Sequence, residues 1–360
     1  MSVGGLCKPD AIAVARFAAP TLNCVSHMII LWQWLAFVLG AWVVFVALRS
    51  AVRTFLLPRA APDPITRLAY RTLRRVFGLV MLPLKTYTAR DRVLAYYSLV
   101  GMLVVLAVWL VMIWLGYGLM FWALGVEPWT TALAVSGSSL FTLGSEGVES
   151  LPQKWLTFTA AAIGPVLIAL LIGYMPTLYG AFSKREALVN LLEVRAGSPP
   201  SAVGMITRYH RLNRLASIGE VWLVWETWFA ELEETHTSLP MLSFFRSPVP
   251  EHHWVSAAGA VLDAAALVLS TVDLPFDVQS ALCVRGGYIA LRRIADYFRI
   301  PYNPDPQPDD AISLTRTQFD HAYYLLELEG VPLKADRLQA WRDFAGWRVN
   351  YDACCWHWPA

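Results

Sequence analysis

Charge is scarce in this chain, and its absence is concentrated. Asp, Glu, Lys and Arg make up 16% of the 360 residues, whereas apolar residues reach 56%, above the 45–50% or so of soluble domains. No charged residue falls within Ile29–Leu48, Val93–Leu124 or Trp155–Phe182. A hydrocarbon core of about 30 Å needs roughly 20 apolar residues as helix, and each stretch meets that length. The second is longer than one crossing needs, so it must tilt, kink or protrude. The first is not a signal peptide, since its apolar core exceeds the usual 7–15 or so residues and no small-x-small site follows before Arg49. Residues 1–28 are a weakly patterned tail, and Met28 at the edge of the first span is an alternative start.

Other absences remove whole chemistries. The five cysteines (Cys7, Cys24, Cys283, Cys354 and Cys355) form no Cys-x-x-Cys or Cys/His ladder, which argues against structural zinc. The adjacent pair Cys354 and Cys355 reads as incidental. No Gly-rich phosphate loop, Rossmann fingerprint or His-Glu-x-x-His occurs. The second and third spans contain no His, Asp, Glu or Lys, so a serine at Ser145 has no base at membrane depth and a hydrolase is not expected. Glu233 and His236 have the Glu-x-x-His spacing, but no second copy follows in this half, and a solvated helix end is the expectation. Three spans without internal charge also argue against a carrier. No catalytic residue, metal site or cofactor is assigned, and the chain is not read as an enzyme. No basic patch of the nucleic-acid-binding kind is present in the C-terminal half.

What charge there is shows a clear sidedness. Ten basic residues lie between the first and second spans, from Arg49 to Arg92, against Asp63 and Asp91 alone. The segment between the second and third spans carries Glu127, Glu146 and Glu149 against Lys154, and Lys184 and Arg185 follow the third. The positive-inside rule then places the N-terminus outside, residues 125–154 outside, and the C-terminal half in the cytosol. The expected location is the cell (inner) membrane, multi-pass.

Within the basic segment Ile65, Leu68, Leu73, Val76, Phe77 and Val80 form an apolar stripe with Arg67, Arg71, Arg74 and Arg75 largely off it. This predicts a basic amphipathic helix on the inner leaflet, stopped near Pro83. It serves as a membrane-surface anchor or as a lever that feels lipid or voltage. Because its arginines do not recur every third residue within a long apolar span, a voltage sensor is not indicated. From Lys184 onward 16 basic residues stand against 21 acidic ones, so this half is near −5 and the preceding part near +7. Its Pro-rich breaks separate expected helices at about 202–217, 219–235, 254–272, 276–298, 310–329 and 334–348. Asp309 or Asp310 is the expected N-cap of the fifth and Gly330 its C′ residue. The stretch from Trp254 to Leu274 is nearly a span in length but contains Asp263, and reads as a buried core helix.

Between the second and third spans, Trp129–Phe141 forms a short helix of small residues. It runs into Thr142-Leu143-Gly144-Ser145-Glu146-Gly147. A helix that dips between two spans and ends in a Thr-x-Gly turn resembles the pore module of pore-loop cation channels. The two-span potassium-channel-like unit is matched over about residues 93–185, with Ser139-Leu140-Phe141-Thr142-Leu143-Gly144 carrying the match. The resemblance implies a re-entrant loop whose carbonyls at Thr142, Leu143 and Gly144 face the ion, with Ser145, Glu146 and Gly147 completing the filter and Glu149 at the outer mouth. It implies hinge positions in the inner span at Gly164, Gly173 and Pro176. Because one loop encloses nothing alone, it also implies a homotetramer. Ser145 stands where the family has an aromatic brace and Glu146 where it has a second glycine, so strict potassium selectivity does not follow. A ring of Glu146 suits a less selective monovalent or divalent cation pore.

The sequence thus predicts an all-α integral membrane protein. It consists of the N-terminal tail (1–28), a first transmembrane helix with the basic segment (29–92), a pore module of helix, re-entrant loop and helix (93–185) and a cytosolic all-helical domain (186–360). Its partners are cations and the lipid bilayer. The alternative is a non-conducting membrane anchor that presents the helical domain to partners.

Overall fold

The computed structural model describes residues 19–57, 63–84, 86–247 and 253–356. Cys7, Lys85 and His252, and most of the N-terminal tail, lie outside them. Among the described residues the fold is all-helical, with one isolated antiparallel bridge, Val272 to Leu333, and no strand. Three helical stretches are long and apolar enough to cross a membrane: Ile30–Phe55, Arg92–Ala123 and Leu151–Ala196. The chain forms two compact units. One takes the chain up to Arg53 with Val104–Leu171, the other Thr54–Leu103 with Ile172–Ala360.

In the first unit α1 (Ala19–Phe55) crosses α4 (Tyr97–Ala123) at a pair of glycines. A Cβ on Gly40 would stand 2.4 Å from the Gly116 carbonyl oxygen, and one on Gly116 would stand 2.8 Å from that of Gly40. Small residues let apolar helices approach until their backbones touch, which is how such helices associate when both faces are oily. The Trp109 indole donates to Ser50 Oγ at 2.9 Å, so neither buried polar group is left bare.

Two helices differ from their sequence expectation in extent. The second apolar stretch is not one rod, since α3 (Tyr87–Leu94) ends in a turn at Ala95 and Tyr96 before α4 begins. The third runs far beyond Phe182: α6 (Leu151–Ala196) has 46 residues, about 69 Å at 1.5 Å per residue, more than twice the roughly 30 Å of a hydrocarbon core.

The second unit contains α2 (Pro64–Met81) and the helices α7 (Ala202–Arg211), α8 (Gly219–Ser238), α9 (Trp254–Ser270), α10 (Val278–Phe298), α11 (Arg316–Leu328), α12 (Arg337–Arg348) and α13 (Asp352–Trp356). Short 3-10 turns lie at Leu215–Ser217 and Pro240–Phe244. Its core is aromatic: Trp222, Trp225, Trp228, Phe229, Trp254, Phe319 and Phe344 are all buried. Helix α9 is buried along most of its length, as expected of a core helix. Its single charge is accounted for. Asp263 pairs with Arg348 and accepts from the Tyr351 hydroxyl at 2.9 Å, which ties the end of α12 to α9.

Capping corrects one expectation and meets another. Neither Asp309 nor Asp310 starts α11. Thr315 does, with a reciprocal capping box to Gln318, five residues later than expected. Gly330 takes φ +75° at the helix's end, where a side chain would be strained.

A second correction concerns His236, expected on a solvated helix end. It is wholly buried near the end of α8, with its ring centroid 4.7 Å from that of Trp254. Its Nδ1 lies 2.9 Å from the Leu232 carbonyl and its Nε2 lies 3.3 Å from Arg185 Nη1. Arginine only donates, so Nε2 accepts, Nδ1 carries the proton, and the ring is neutral. Burial, then the Arg185 charge, holds its pKa well below the usual histidine value. The unfolded chain therefore takes up a proton at a higher pH than the folded one. This histidine's contribution is to lower stability as pH falls below about 6.5. In thermal melts at pH 7.5 and 5.5, His236→Gln should show a smaller loss of Tm on acidification than the unsubstituted chain.

Candidate pore loop

Helix α5 (Trp129–Leu140) follows α4 after a short connection and lies against both α4 and α6. Its small residues make that possible: Ala132, Ser136, Ser138 and Ser139 are buried with Val135 and Leu140. On the α4 side the Trp114 indole donates to the Leu133 carbonyl at 2.9 Å, and Ser136 Oγ donates to the Trp114 carbonyl at 2.7 Å. A Cβ on Gly118 would meet Leu133 Cδ2 at 2.7 Å. On the α6 side a Cβ on Gly164 would stand 2.0 Å from the Leu140 carbonyl oxygen.

These contacts fix how far α5 travels. Gly118 is about 8 Å from the Ala123 end of α4 and Trp114 about 14 Å, at 1.5 Å per residue. Gly164 is about 20 Å along α6 from Leu151. Successive turns of α5 thus meet the flanking helices progressively further from their Ala123 and Leu151 ends.

The turn after α5 leaves helical geometry but keeps its N–H groups occupied. Phe141 N–H donates to the Gly137 carbonyl, Thr142 N–H to Ser139 and Leu143 N–H to Ser138, at 3.0, 3.0 and 2.8 Å. Ser138 Oγ then accepts from Ser145 N–H at 2.9 Å and Glu146 N–H at 3.3 Å, with Ser145 Oγ at 3.1 Å. Thr142 Oγ1 donates to the Phe141 carbonyl. Among the described residues no donor reaches the carbonyl oxygens of Thr142, Leu143, Gly144, Ser145 or Glu146. The positive φ values fall at Thr142 (55°) and Gly144 (67°), while Glu146 is not in that region. All six residues Thr142–Gly147 and Glu149 are exposed, although half of α5 is buried.

The residue that sequence reasoning missed is Ser138. It reads in the sequence as one small packing residue among several, yet its hydroxyl gathers the loop. Ser145, which stands where the resembled family has an aromatic, is bonded to that hydroxyl through both its N–H and its Oγ.

The hinge positions have different surroundings. Helix α6 is continuous through Gly164, Gly173 and Pro176. Gly164 is held against the Leu140 carbonyl, whereas a Cβ on Gly173 would meet nothing within 4 Å.

Outside the loop the chemistry is sparse. Among the described residues no three His, Cys, Asp or Glu side chains converge to hold a metal ion. Glu233, the partner of His236 in the ligand-like spacing, is paired with Arg293 at 2.9 Å instead. A cleft of about 340 Å³ in the helical unit is lined by Asp263, Arg348, Asp352, Ser313 and Cys355 among others, and its charged groups are bonded to one another. Burial pushes the Cys354 thiol up to about 11 and raises that of Cys355 as well, so both stay protonated at neutral pH. No protein-family model, curated protein or solved structure matches this chain.

Two substitutions test the local geometry. Gly164→Ala should lower the melting temperature of the detergent-solubilised protein, by about 1–3 kcal/mol of overpacking against a backbone carbonyl. Gly173→Ala should leave it unchanged or raise it slightly. Ser138→Ala should speed hydrogen exchange at the Ser145 and Glu146 amides by about fivefold, since the net worth of such bonds is about 1 kcal/mol each.

Proposed function

We propose that this chain is one subunit of a cation-conducting membrane channel, with α5 and residues 141–147 as a re-entrant pore loop. The observation that carries the reading is the set of backbone carbonyls from Thr142 to Glu146. These residues are exposed and, among the described residues, nothing donates to their carbonyls, while the Leu143, Ser145 and Glu146 N–H groups are turned back onto α5. Irregular backbone beside apolar helices is tolerated where it lines a cavity or is buried in protein, and carbonyls presented this way replace an ion's hydration shell. The negative end of the α5 dipole lies at the same place and favours a cation there.

In this reading four copies surround an axis. Thr142, Leu143 and Gly144 offer their carbonyls, and Glu146 and Glu149 form an outer carboxylate mouth. A strict potassium filter is not required: Glu146 in place of a glycine gives a pore that selects by charge. The three apolar helices cross the cell membrane, and the helical unit after α6 faces the cytosol. No catalytic chemistry is assigned to any residue.

The rival reading is a non-conducting membrane anchor that presents the helical unit, and it is favoured by that unit's own aromatic core. Cation flux through reconstituted proteoliposomes separates the two. Glu146→Gln should lower conductance several-fold at low salt and little at high salt, because a carboxylate ring concentrates counter-ions and is screened. Gly144→Val should abolish flux, since a β-branched residue is strained at φ +67°. A cysteine at Ser145→Cys that no water-soluble thiol reagent reaches, together with flux no greater than in protein-free vesicles, overturns the channel reading and leaves the anchor.

A further inference from the structure

Helix α2 has three faces with three different surroundings. Asp63 caps its start, accepting from the Ile65 and Thr66 N–H groups at 3.0 and 3.3 Å, and Pro64 opens the first turn. The first face, Thr66, Ala69, Leu73 and the rings of Tyr70 and Phe77, is packed on protein. The second carries Arg67, Arg71, Arg74 and Arg75, of which the last three are exposed. The third carries Leu68, Val76 and Leu79, with Val80 at its edge, and these apolar side chains are 65, 49, 67 and 52% exposed.

The packed face sets the level at which α2 lies. Thr66 Oγ1 is 3.0 Å from Thr54 Oγ1, at the end of α1. The Tyr97 hydroxyl, at the start of α4, donates to the Tyr70 carbonyl at 3.2 Å. The Tyr97 ring meets both Tyr70, at 5.9 Å between centroids, and Phe77, at 5.3 Å. Tyr70 and Phe77 are about 10 Å apart along α2, yet both meet the same residue of α4. Helix α2 is therefore held at the Tyr97 end of α4. Phe244, stacked on Tyr70 with centroids 6.1 Å apart, holds it from the other side.

We propose that α2 is a docking surface for the anionic phospholipids of the leaflet at which α1 ends and α4 begins. Leu68, Val76 and Leu79 enter the acyl boundary, and Arg71, Arg74 and Arg75 take the headgroup phosphates. This rests on the reading of the apolar helices as membrane spans. Three observations select lipid over other occupants. The surface sits at the level of two span ends, where headgroups are. Its arginines flank the apolar stripe as an interfacial helix requires. A second copy apposed on this face would set like charges against each other, whereas an anionic leaflet neutralises them.

The test uses the full chain reconstituted in phosphatidylcholine vesicles with and without phosphatidylglycerol, carrying an environment-sensitive label at Leu79→Cys. The unlabelled position in the unsubstituted chain gives the background. Label emission should shift to the blue as phosphatidylglycerol is added, and the shift should weaken with salt. Replacing Arg71, Arg74 and Arg75 by Gln should remove the preference for the anionic lipid, at roughly fivefold in partition per arginine. These residues are exposed, so the variant keeps its fold. A label in water in both lipids overturns the proposal. So does a label equally shielded in both and indifferent to the arginine replacements, an outcome that assigns the face to a second protein copy. Extraction of the chain from membranes by alkaline carbonate is measured separately, and release there would refute the spans themselves.

Discussion

Where this chain leaves helical geometry after α5, most of the freed N–H groups find partners inside the protein while the loop carbonyls do not, and the placing of backbone donors organises the turns of both units. A bare amide or carbonyl in such surroundings costs about 1–3 kcal/mol or more. At the end of α5 the Ser138 hydroxyl and the carbonyls of Gly137, Ser138 and Ser139 absorb the donors of the turn. Trp114 and Ser136 exchange bonds across α4 and α5 with backbone carbonyls as acceptors. In the second unit Arg185 plays the same part with a charge. It is buried on α6 and donates to the carbonyls of Leu242 and Phe245 at 3.1 and 2.8 Å, closing the end of the Pro240–Phe244 turn.

The Arg185 site shows why such a charge is tolerated so deep. Its guanidinium pairs with Glu186 at 2.9 Å, lies over the Phe182 ring at 5.3 Å and faces the accepting nitrogen of His236. A buried ion pair alone roughly breaks even against apolar packing. Here the same cation also answers two turn carbonyls and a histidine, so removing it strands four groups together. The Trp228 indole donates back to the Arg185 carbonyl at 3.3 Å, tying α8 to α6 at this point. The sequence shows Lys184 and Arg185 only as a basic flank of an apolar span. Their fates differ, since Lys184 stays exposed and pairs with Glu231.

What could be read beforehand divides along physical lines. Runs without charge give apolar helices directly, and the extents of α2 and α5 follow from the apolar stripe Ile65–Val80, the stop near Pro83 and the small-residue run. The Gly330 cap was legible because only glycine sits easily at that backbone angle. The start of α11 was available too, since Thr315-x-x-Gln318 is a capping-box pattern, but the paired aspartates drew the boundary forward. Other features depend on tertiary contacts and were not legible. Nothing local marks His236 as buried, because the groups that neutralise its polarity come from α6 and from its own helix one turn back. Nothing local marks Ser138 apart from Ser136 or Ser139, because the difference lies in which hydroxyl the returning chain meets. The positive φ at Thr142 was likewise hidden, since propensity assigns that angle to glycine alone.

On the proposed reading, the loop's electrostatics decide what kind of pore it forms. A helix C-terminus carries about half an elementary negative charge, so four α5 ends contribute about two. Four copies of Glu146 would add as many as four more when ionised, and the unengaged carbonyls add dipoles of the same sign. All three terms attract cations and repel anions, and none distinguishes one small cation from another by size. Size discrimination would require the carbonyls to be held in a fixed cage. The brace here is a single hydroxyl, accepting bonds of 2.9 and 3.3 Å on an exposed turn, which permits the turn to adjust to its occupant. On this reading a filter built this way favours cations over anions, while between monovalent and divalent ions the stronger attraction of the higher charge is opposed by its larger dehydration cost.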